Sequence, residues 1–166
     1  MKKLFFFIVL CALSVAASAQ TRFGYFSYEA VLTSMPDYAL AQRGVEDLRL
    51  KYDAELKRAE DEFNSKYEEF LDAQRDLVPT ILRKRQAELQ EMMQKNINFK
   101  KESQRLLQQA ETEAYAPVKA KLNEAVAKVG QTKGYAFILN TDNNACPFVN
   151  PEMGEDATEA IKAEIK

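Results

Sequence analysis

The sequence has 166 residues, of which 46% are hydrophobic and 29% charged, and its formal net charge is −2. It contains no histidine, the side chain that most often serves as a general base or a zinc ligand. Glycine-rich phosphate loops and nucleophile motifs are absent from the sequence as well, so it indicates neither an enzyme nor a cofactor. The acidic balance also argues against nucleic acid as a main partner, since such sites concentrate positive charge.

The first residues predict a secretory signal peptide. Lys2-Lys3 is positive, Leu4–Val15 is apolar, and Ala17-Ser18-Ala19 offers the small residues that a signal peptidase recognises. A membrane anchor is the alternative, but the apolar stretch is shorter than the roughly 20 residues that a spanning helix needs. We therefore expect residues 1–19 to be cleaved before Gln20 and the mature chain to be exported.

A short strand and a short helix are predicted next. Arg22–Phe26 is rich in aromatic residues, which is typical of a strand. Tyr28–Met35 suggests a short helix that ends at Pro36, because proline cannot continue it. With the end of the chain, these elements are expected to form a small head from residues 20–36 and 130–166.

A long helical hairpin is predicted between the two parts of the head. The span Val45–Val129 contains no glycine, and its only prolines are Pro79 and Pro117. A single helix of this length would reach about 130 Å, whereas Pro79 suits the first position of a second helix. We predict two antiparallel helices over residues 37–129, a tip near 76–80, and a bend at Pro117.

Apolar residues follow one face of each predicted arm. In the first arm they recur every three or four residues with an eleven-residue repeat, which predicts a weakly right-handed seam. In the second arm the seam thins to Ile97 and Phe99 between Met93 and Leu106, so this section should be the least firmly packed. The aromatic and methionine side chains along the two seams form either a surface that binds client polypeptides or simply the packing between the arms. The first seam is Val45, Leu48, Tyr52, Leu56, Ala59, Phe63, Tyr67 and Phe70, and the candidate client-binding residues are Phe63, Tyr67, Phe70, Met92, Met93 and Phe99.

Charge is distributed unevenly over the arms. Residues 42–77 include 7 basic and 11 acidic residues, whereas residues 79–128 include 10 basic and 6 acidic residues. Arms of opposite sign attract each other, which favours the hairpin. A basic cluster near the tip is either a solvated helix face or a weak contact for acidic lipid or an acidic client. This candidate basic tip consists of Arg83, Lys84 and Arg85.

The residues after the hairpin complete the head. Gly130 is predicted to stop the helix, Tyr135–Leu139 to form a strand, and a third extended piece is expected around Phe148–Val149. Asp156–Ile165 has apolar residues on one face, which is typical of a terminal helix. Cys146, which remains after signal cleavage, is either a small buried hydrophobe or the partner of an intermolecular disulfide.

A head of this size buries too little apolar surface to be stable alone. Its strands also have exposed edges, which disappear when a sheet closes on itself. We therefore expect heads of several chains to join in one body from which the hairpins project. The predicted fold class is α+β and mostly α, with a long antiparallel helical hairpin inserted in a small β-strand head that oligomerises into a β-barrel body.

This order of elements resembles the Skp/OmpH family of periplasmic chaperones for outer-membrane proteins. The resemblance covers the whole mature chain, from the short helix ending at Pro36 through the hairpin to the strand Tyr135–Asn140 and a terminal helix from Asp156. It implies a homotrimer with a β-barrel body and three helical tentacles that enclose unfolded outer-membrane proteins in the periplasm. Well-known members are strongly basic, whereas this chain is acidic, so charge is expected to assist binding only modestly. The residues implied for the oligomerisation body are Phe23, Tyr25, Phe137 and Leu139.

A non-catalytic coiled-coil spacer or adaptor of a cell-envelope complex is the main alternative, because long hairpins also hold assemblies at fixed distances. Such a spacer is expected to have a uniformly apolar, stiff seam, whereas this seam weakens between Ile97 and Ser103. The sequence therefore favours an ATP-independent holdase chaperone that grips clients through many weak contacts.

Overall fold

The structure, a computed structural model, describes residues 22–165; the predicted signal peptide lies outside the described residues. The chain forms two compact units. The head unit consists of residues 22–35 and 119–165, and the arm unit is Pro36–Val118. The elements are β1 (Phe23–Phe26), α1 (Tyr28–Ser34), α2 (Pro36–Ala73), α3 (Pro79–Lys133), β2 (Ile138–Asn140), a 3-10 turn (Asp142–Asn144), β3 (Gly154–Asp156) and α4 (Thr158–Ile165).

A three-stranded parallel sheet with the order β2-β1-β3 organises the head unit. Tyr25 of β1 pairs with Leu139 of β2, and Phe23 pairs with Gly154 of β3. Parallel neighbours need a long crossover connection, and the one between β1 and β2 contains α1, α2 and α3. The sheet therefore joins the beginning of the described chain to its end.

The second and third strands differ from the sequence prediction. β2 begins at Ile138, later than predicted, although the carbonyl of Phe137 already accepts a hydrogen bond from the N–H of Gly24 at 3.0 Å. The third strand predicted at Phe148–Val149 is wrong, because that segment is irregular and β3 is formed by Gly154-Glu155-Asp156. These three residues have little intrinsic strand propensity, so their pairing with β1 decides their conformation.

Two glycines allow aromatic rings to lie directly on the sheet backbone. A Cβ atom at Gly154 would stand 2.5 Å from Cε2 of Phe23, and one at Gly24 would stand 2.9 Å from Cε2 of Tyr135. Both distances are shorter than a carbon–carbon contact allows. A larger residue at either position would displace the ring, so glycine suits the places where β1 packs against its neighbours.

Side chains fix the N-termini of the short helices. At α1, Ser27 Oγ accepts a hydrogen bond from a first-turn N–H at 3.0 Å, and the Asp142 carboxylate accepts one from the N–H of Glu29 at 2.7 Å. Hydrogen bonds from Ser27 and from this N–H lower the pKa of Asp142. α4 begins at Thr158 and not at Asp156 as predicted, because the Asp156 carboxylate accepts the N–H of Thr158 at 2.9 Å and caps the helix.

The core of the head unit combines apolar residues from β1, α1, α4 and the C-terminal part of α3. Val31, Leu122 and Ile161 are completely enclosed, each with 0% of its surface exposed. Helical positions three or four apart supply these contacts, because they lie on one face of a helix. The other buried apolar residues of the unit are Phe26, Met35, Ala125, Val129 and Ala157.

α3 continues through Gly130, which was predicted to stop it, and ends at Lys133. Gly134 follows in the left-handed conformation, with a φ of 66°. The N–H groups of Gly134 and Tyr135 donate to the carbonyls of Gln131 and Gly130 at 3.2 and 2.9 Å. The prediction was wrong because Gly130 provides a carbonyl to this cap, whereas Gly134 provides the left-handed residue.

In the arm unit, α2 and the first part of α3 form an antiparallel hairpin. α3 begins at Pro79, as predicted. The rings of Tyr38 and Tyr115 lie 5.1 Å apart at one end of the hairpin, and those of Tyr52 and Phe99 lie 6.2 Å apart nearer its middle. Residues early in α2 thus meet residues late in α3.

The predicted seam of α2 is buried or half-buried except at Tyr67, which is 45% exposed. In α3 the seam contains two polar residues, the half-buried Asn96 and the buried Ser103. Ile97, which was predicted to lie in the seam, is 53% exposed. The reason is helical spacing, since a step of three back from Phe99 reaches position 96.

Pro117 lies inside α3, where it has no N–H to donate to the carbonyl of Glu113. The helix nevertheless continues through it to Lys133. The bend that the sequence suggests at this proline stays a prediction.

Candidate functional site

The four residues of the predicted oligomerisation set lie on one face of the sheet. Phe23 and Tyr25 share a face of β1 because side chains alternate along a strand. Leu139 pairs with Tyr25, and the ring of Phe137 stacks on that of Phe23 with centroids 5.4 Å apart. We call these four residues the aromatic face.

The aromatic face is only partly covered by the described chain. Phe23, Tyr25 and Leu139 are half-buried. Phe137 is 49% exposed, whereas Phe26, on the opposite face of β1, is 4% exposed. An open apolar face in so small a unit is where another protein surface can pack.

Charged residues hold β3 at the edge of the sheet. The Glu155 carboxylate accepts hydrogen bonds from Lys133 Nζ at 2.9 Å and from Arg22 Nη2 at 3.0 Å. The bond from Lys133 is the main reason that the pKa of Glu155 is lowered. Beside this cluster, burial raises the pKa of Tyr135 to about 12. The cluster joins β1, β3 and the end of α3.

Two open grooves run along the arm hairpin. The tip groove has a volume of about 510 Å³ and is lined by apolar and charged side chains. The middle groove has a volume of about 340 Å³ and mixes apolar with amide side chains. The apolar residues that line the tip groove are Phe70, Ala73, Leu77, Leu89 and Met92, and the middle groove is lined by Glu60, Phe63, Asn64, Met93, Asn96, Ile97 and Lys100.

The grooves divide the candidate client-binding residues. Phe63 faces Met93 across the middle groove, and Phe70 faces Met92 across the tip groove. Tyr67 lines neither groove; it is exposed and stacks on Phe63, with ring centroids 6.0 Å apart. Phe99 contacts Tyr52 inside the seam. The six candidates therefore do not form a single site.

Some groove residues were absent from the predicted set. Ile97 lines the middle groove. The sequence could have indicated this, because Ile97 lies four residues after Met93 and therefore on the same face of the helix. Leu77 and Leu89 belong to the tip groove because the turn and the first turns of α3 bring them close to Phe70. Such proximity across a turn depends on its geometry, which the sequence does not specify.

Ion pairs balance the charge around the tip groove. Lys66, Arg85 and Lys95 pair with Glu69, Glu88 and Glu91 at 3.4, 3.0 and 2.6 Å. Within the described stretch 46–105, the ion pairs join positions three or four apart in one helix, so over this stretch the opposite charges of the arms do not meet as direct pairs. The groove therefore presents no strong net charge.

The predicted basic tip lies in the first turns of α3 and is exposed. Lys84 and Arg85 both approach Glu88, at 3.8 and 3.0 Å, and Arg83 donates to the carbonyl of Pro79 at 3.3 Å. Exposed apolar residues accompany these cations, so the tip is amphipathic. They are Leu71, Val78 and Ile81.

Other kinds of site find little support in the part of the chain that the structure describes. Between residues 22 and 165 there is no cluster of acidic or cysteine side chains that could hold a metal ion. None of the described helices is long and apolar enough to cross a bilayer. Cys146 is half-buried with a free thiol, whose Sγ lies 3.4 Å from the carbonyl of Phe148.

Comparison with known proteins gives a consistent picture. The sequence profile of a family described as outer membrane protein (OmpH-like) matches residues 22–165. A crystal structure of a candidate outer membrane chaperone (OmpH-like) from Caulobacter crescentus CB15 superposes with a TM-score of 0.73 at 18% sequence identity. The match covers 86% of this chain and 82% of that one, and at this identity it shows a shared fold. None of the curated protein sequences matches this chain at a significant level.

Proposed function

Since this chain belongs to the OmpH-like family, we propose that it is an ATP-independent holdase chaperone. In this role it binds unfolded outer-membrane proteins in the periplasm and keeps them soluble for delivery to the outer membrane. The observation that carries the proposal is the pair of open grooves along the hairpin, where Phe63, Phe70 and Met93 remain half-buried or exposed. Adaptable side chains on an open surface suit clients that differ in sequence.

We further propose that the aromatic face joins three chains in one body, with a closed sheet and three projecting hairpins. The support is physical: a small head unit leaves Phe137 about half exposed, at 49%, on an apolar sheet face. Linked hairpins raise the avidity of many weak contacts without a tight pocket. The amphipathic tip adds a weak contact with acidic lipid, limited by the pairing of two of its cations with Glu88.

Dilution of an unfolded outer-membrane β-barrel protein from urea tests the holdase function. The client is diluted with and without the mature chain, which begins at Gln20, in a buffer that contains no ATP. Aggregation is followed by light scattering. We expect a soluble complex of defined stoichiometry and suppressed scattering. Unchanged aggregation at a molar excess of the mature chain would contradict the proposal and favour the spacer or adaptor function.

A further inference from the structure

One polar side chain bridges the two arms in the middle of the hairpin. Asn96 Nδ2 of α3 donates a hydrogen bond to the carbonyl oxygen of Ala59 in α2 at 3.0 Å. Ala59 lies within a continuous helix, so its carbonyl also serves the N–H four residues later, and Asn96 uses the second lone pair. The small side chain of Ala59 leaves room for this approach.

The bond lies where apolar packing between the arms is incomplete. On α3, the neighbouring Met93 and Ile97 are 48% and 53% exposed. The middle groove opens beside them, so the apolar residues there contact the facing helix incompletely. A part-buried hydrogen bond contributes relatively more where few other contacts compete with it.

We propose that Asn96 is a latch that holds the arms together between the aromatic contact of Tyr52 with Phe99 and the tip groove. Breaking the bond leaves the carbonyl of Ala59 without its cross-arm donor and allows the two helices to separate there first. Separation uncovers Phe63 and Phe99, which lie on either side of Asn96 along the seam. The latch is a property of the hairpin and does not depend on what the arms bind.

Hydrogen–deuterium exchange of the full mature chain, measured by mass spectrometry, tests the latch with two isosteric substitutions. Asn96→Asp keeps the shape but replaces the donor with a carboxylate that repels the carbonyl of Ala59. Asn98→Asp adds the same charge two residues away, where the exposed Asn98 accepts a bond from Gln94 of its own helix at 3.0 Å. Gln94 can donate equally well to a carboxylate, so this variant is the control.

We expect amides in segments 57–63 and 94–101 to exchange about fivefold faster in Asn96→Asp, the effect of one net hydrogen bond, and to remain unchanged in Asn98→Asp. Amides of the head unit should keep their protection in both variants. If the added charge unfolds the arm, Asn96→Ala and Asn98→Ala provide the same comparison without it. Equal acceleration by both members of a pair, acceleration spread over the head unit, or no acceleration in either Asn96 variant would overturn the proposal.

Discussion

The head unit and the arm unit use their apolar residues differently. Of the ten buried apolar residues in the described chain, eight belong to the head unit, although the arm unit is longer. The arm unit keeps most of its aromatic and methionine side chains half-buried along one seam. Burial supplies folding stability in the head, whereas partial exposure in the arm leaves surface for another polypeptide. If the proposed function holds, one chain separates folding stability from client binding along its length.

The largest expected effect concerns the assembly that we propose for the head unit. Phe137→Asp places a charge on the apolar sheet face and should dissociate the oligomer, because an unpaired carboxylate is costly to bury. Light scattering coupled to size exclusion should show the mass of a single chain. Deletion of residues 76–85 at the tip should leave the oligomer intact. A monomeric wild-type chain at micromolar concentration would refute the trimer.

Truncating one isoleucine in each unit compares directly how much a side chain contributes to stability in the head and in the arm. Ile161→Ala empties a site in the head that is 0% exposed and should lower the free energy of unfolding by about 2–5 kcal/mol. Ile97→Ala, in the arm at 53% exposure, should cost less than about 1 kcal/mol. Urea denaturation followed by circular dichroism measures both values. Equal costs would show that the arm has a core like that of the head.

Substitution of two glycines, one in each unit, is expected to give a smaller difference in stability. Gly154→Ala brings a Cβ to 2.5 Å from the ring of Phe23 and should destabilise by about 1–3 kcal/mol as the ring shifts. Gly44→Ala, inside α2 with no atom within 4 Å of the added Cβ, should stabilise by about 0.5–1 kcal/mol. Thermal unfolding measures whether each change raises or lowers the stability. Stabilisation by both changes would mean that the ring of Phe23 moves aside without cost.

In the arm, single substitutions should have modest effects on binding. Met93→Ala or Phe99→Ala should weaken client affinity by less than about 1.4 kcal/mol, that is, under tenfold. Raising salt from about 0.05 to 0.5 M should also change affinity little, because the ion pairs around the tip groove are already balanced. Fluorescence titration with an unfolded client measures both. Complete loss of binding in one variant with an intact oligomer would replace the diffuse surface with a discrete site.

The smallest expected effect is a pH dependence at the edge of the sheet. The pKa of Glu155 is lowered in the folded state, mainly by Lys133, so its contribution to stability is present above the unfolded pKa. It is lost as pH falls through the folded pKa. Glu155→Gln should therefore lower the melting temperature at neutral pH and lose this difference in acid. Glu159→Gln, on an 86% exposed side chain, removes the same charge and should change the melting temperature less.

The sequence predicts the arm better than the head, and the reason is the range of the interactions. Helix formation and the seam depend on local composition and on steps of three and four, so the start of α3 at Pro79 could be recognised directly. The strand β3 could not be recognised from the sequence, because Gly154-Glu155-Asp156 forms a strand only through pairing with β1, which is far away in the sequence. The sequence offers both Gly130 and Gly134 near the end of α3, but only the backbone geometry shows which one adopts the left-handed conformation.

The candidate site was predictable to a similar, limited degree. Resemblance supplied Phe23, Tyr25, Phe137 and Leu139, and the register of the sheet places them on one face. In the arm, an expectation that seams are apolar led to Ile97 instead of Asn96. A polar residue that bonds to a backbone carbonyl carries no mark in the sequence that distinguishes it from a solvated one.

The insertion of the hairpin between β1 and β2 also sets an order in time. β1 begins at Phe23, but its partners begin at Ile138 and Gly154. A chain that is delivered N-terminus first therefore presents β1 long before either neighbouring strand exists, and closing so long a loop is slow. Contacts near the tip of the hairpin join residues that are close in sequence, so the hairpin can begin to close from its turn earlier. We expect the surfaces proposed to join the chains to form last, after the hairpin of each chain has folded.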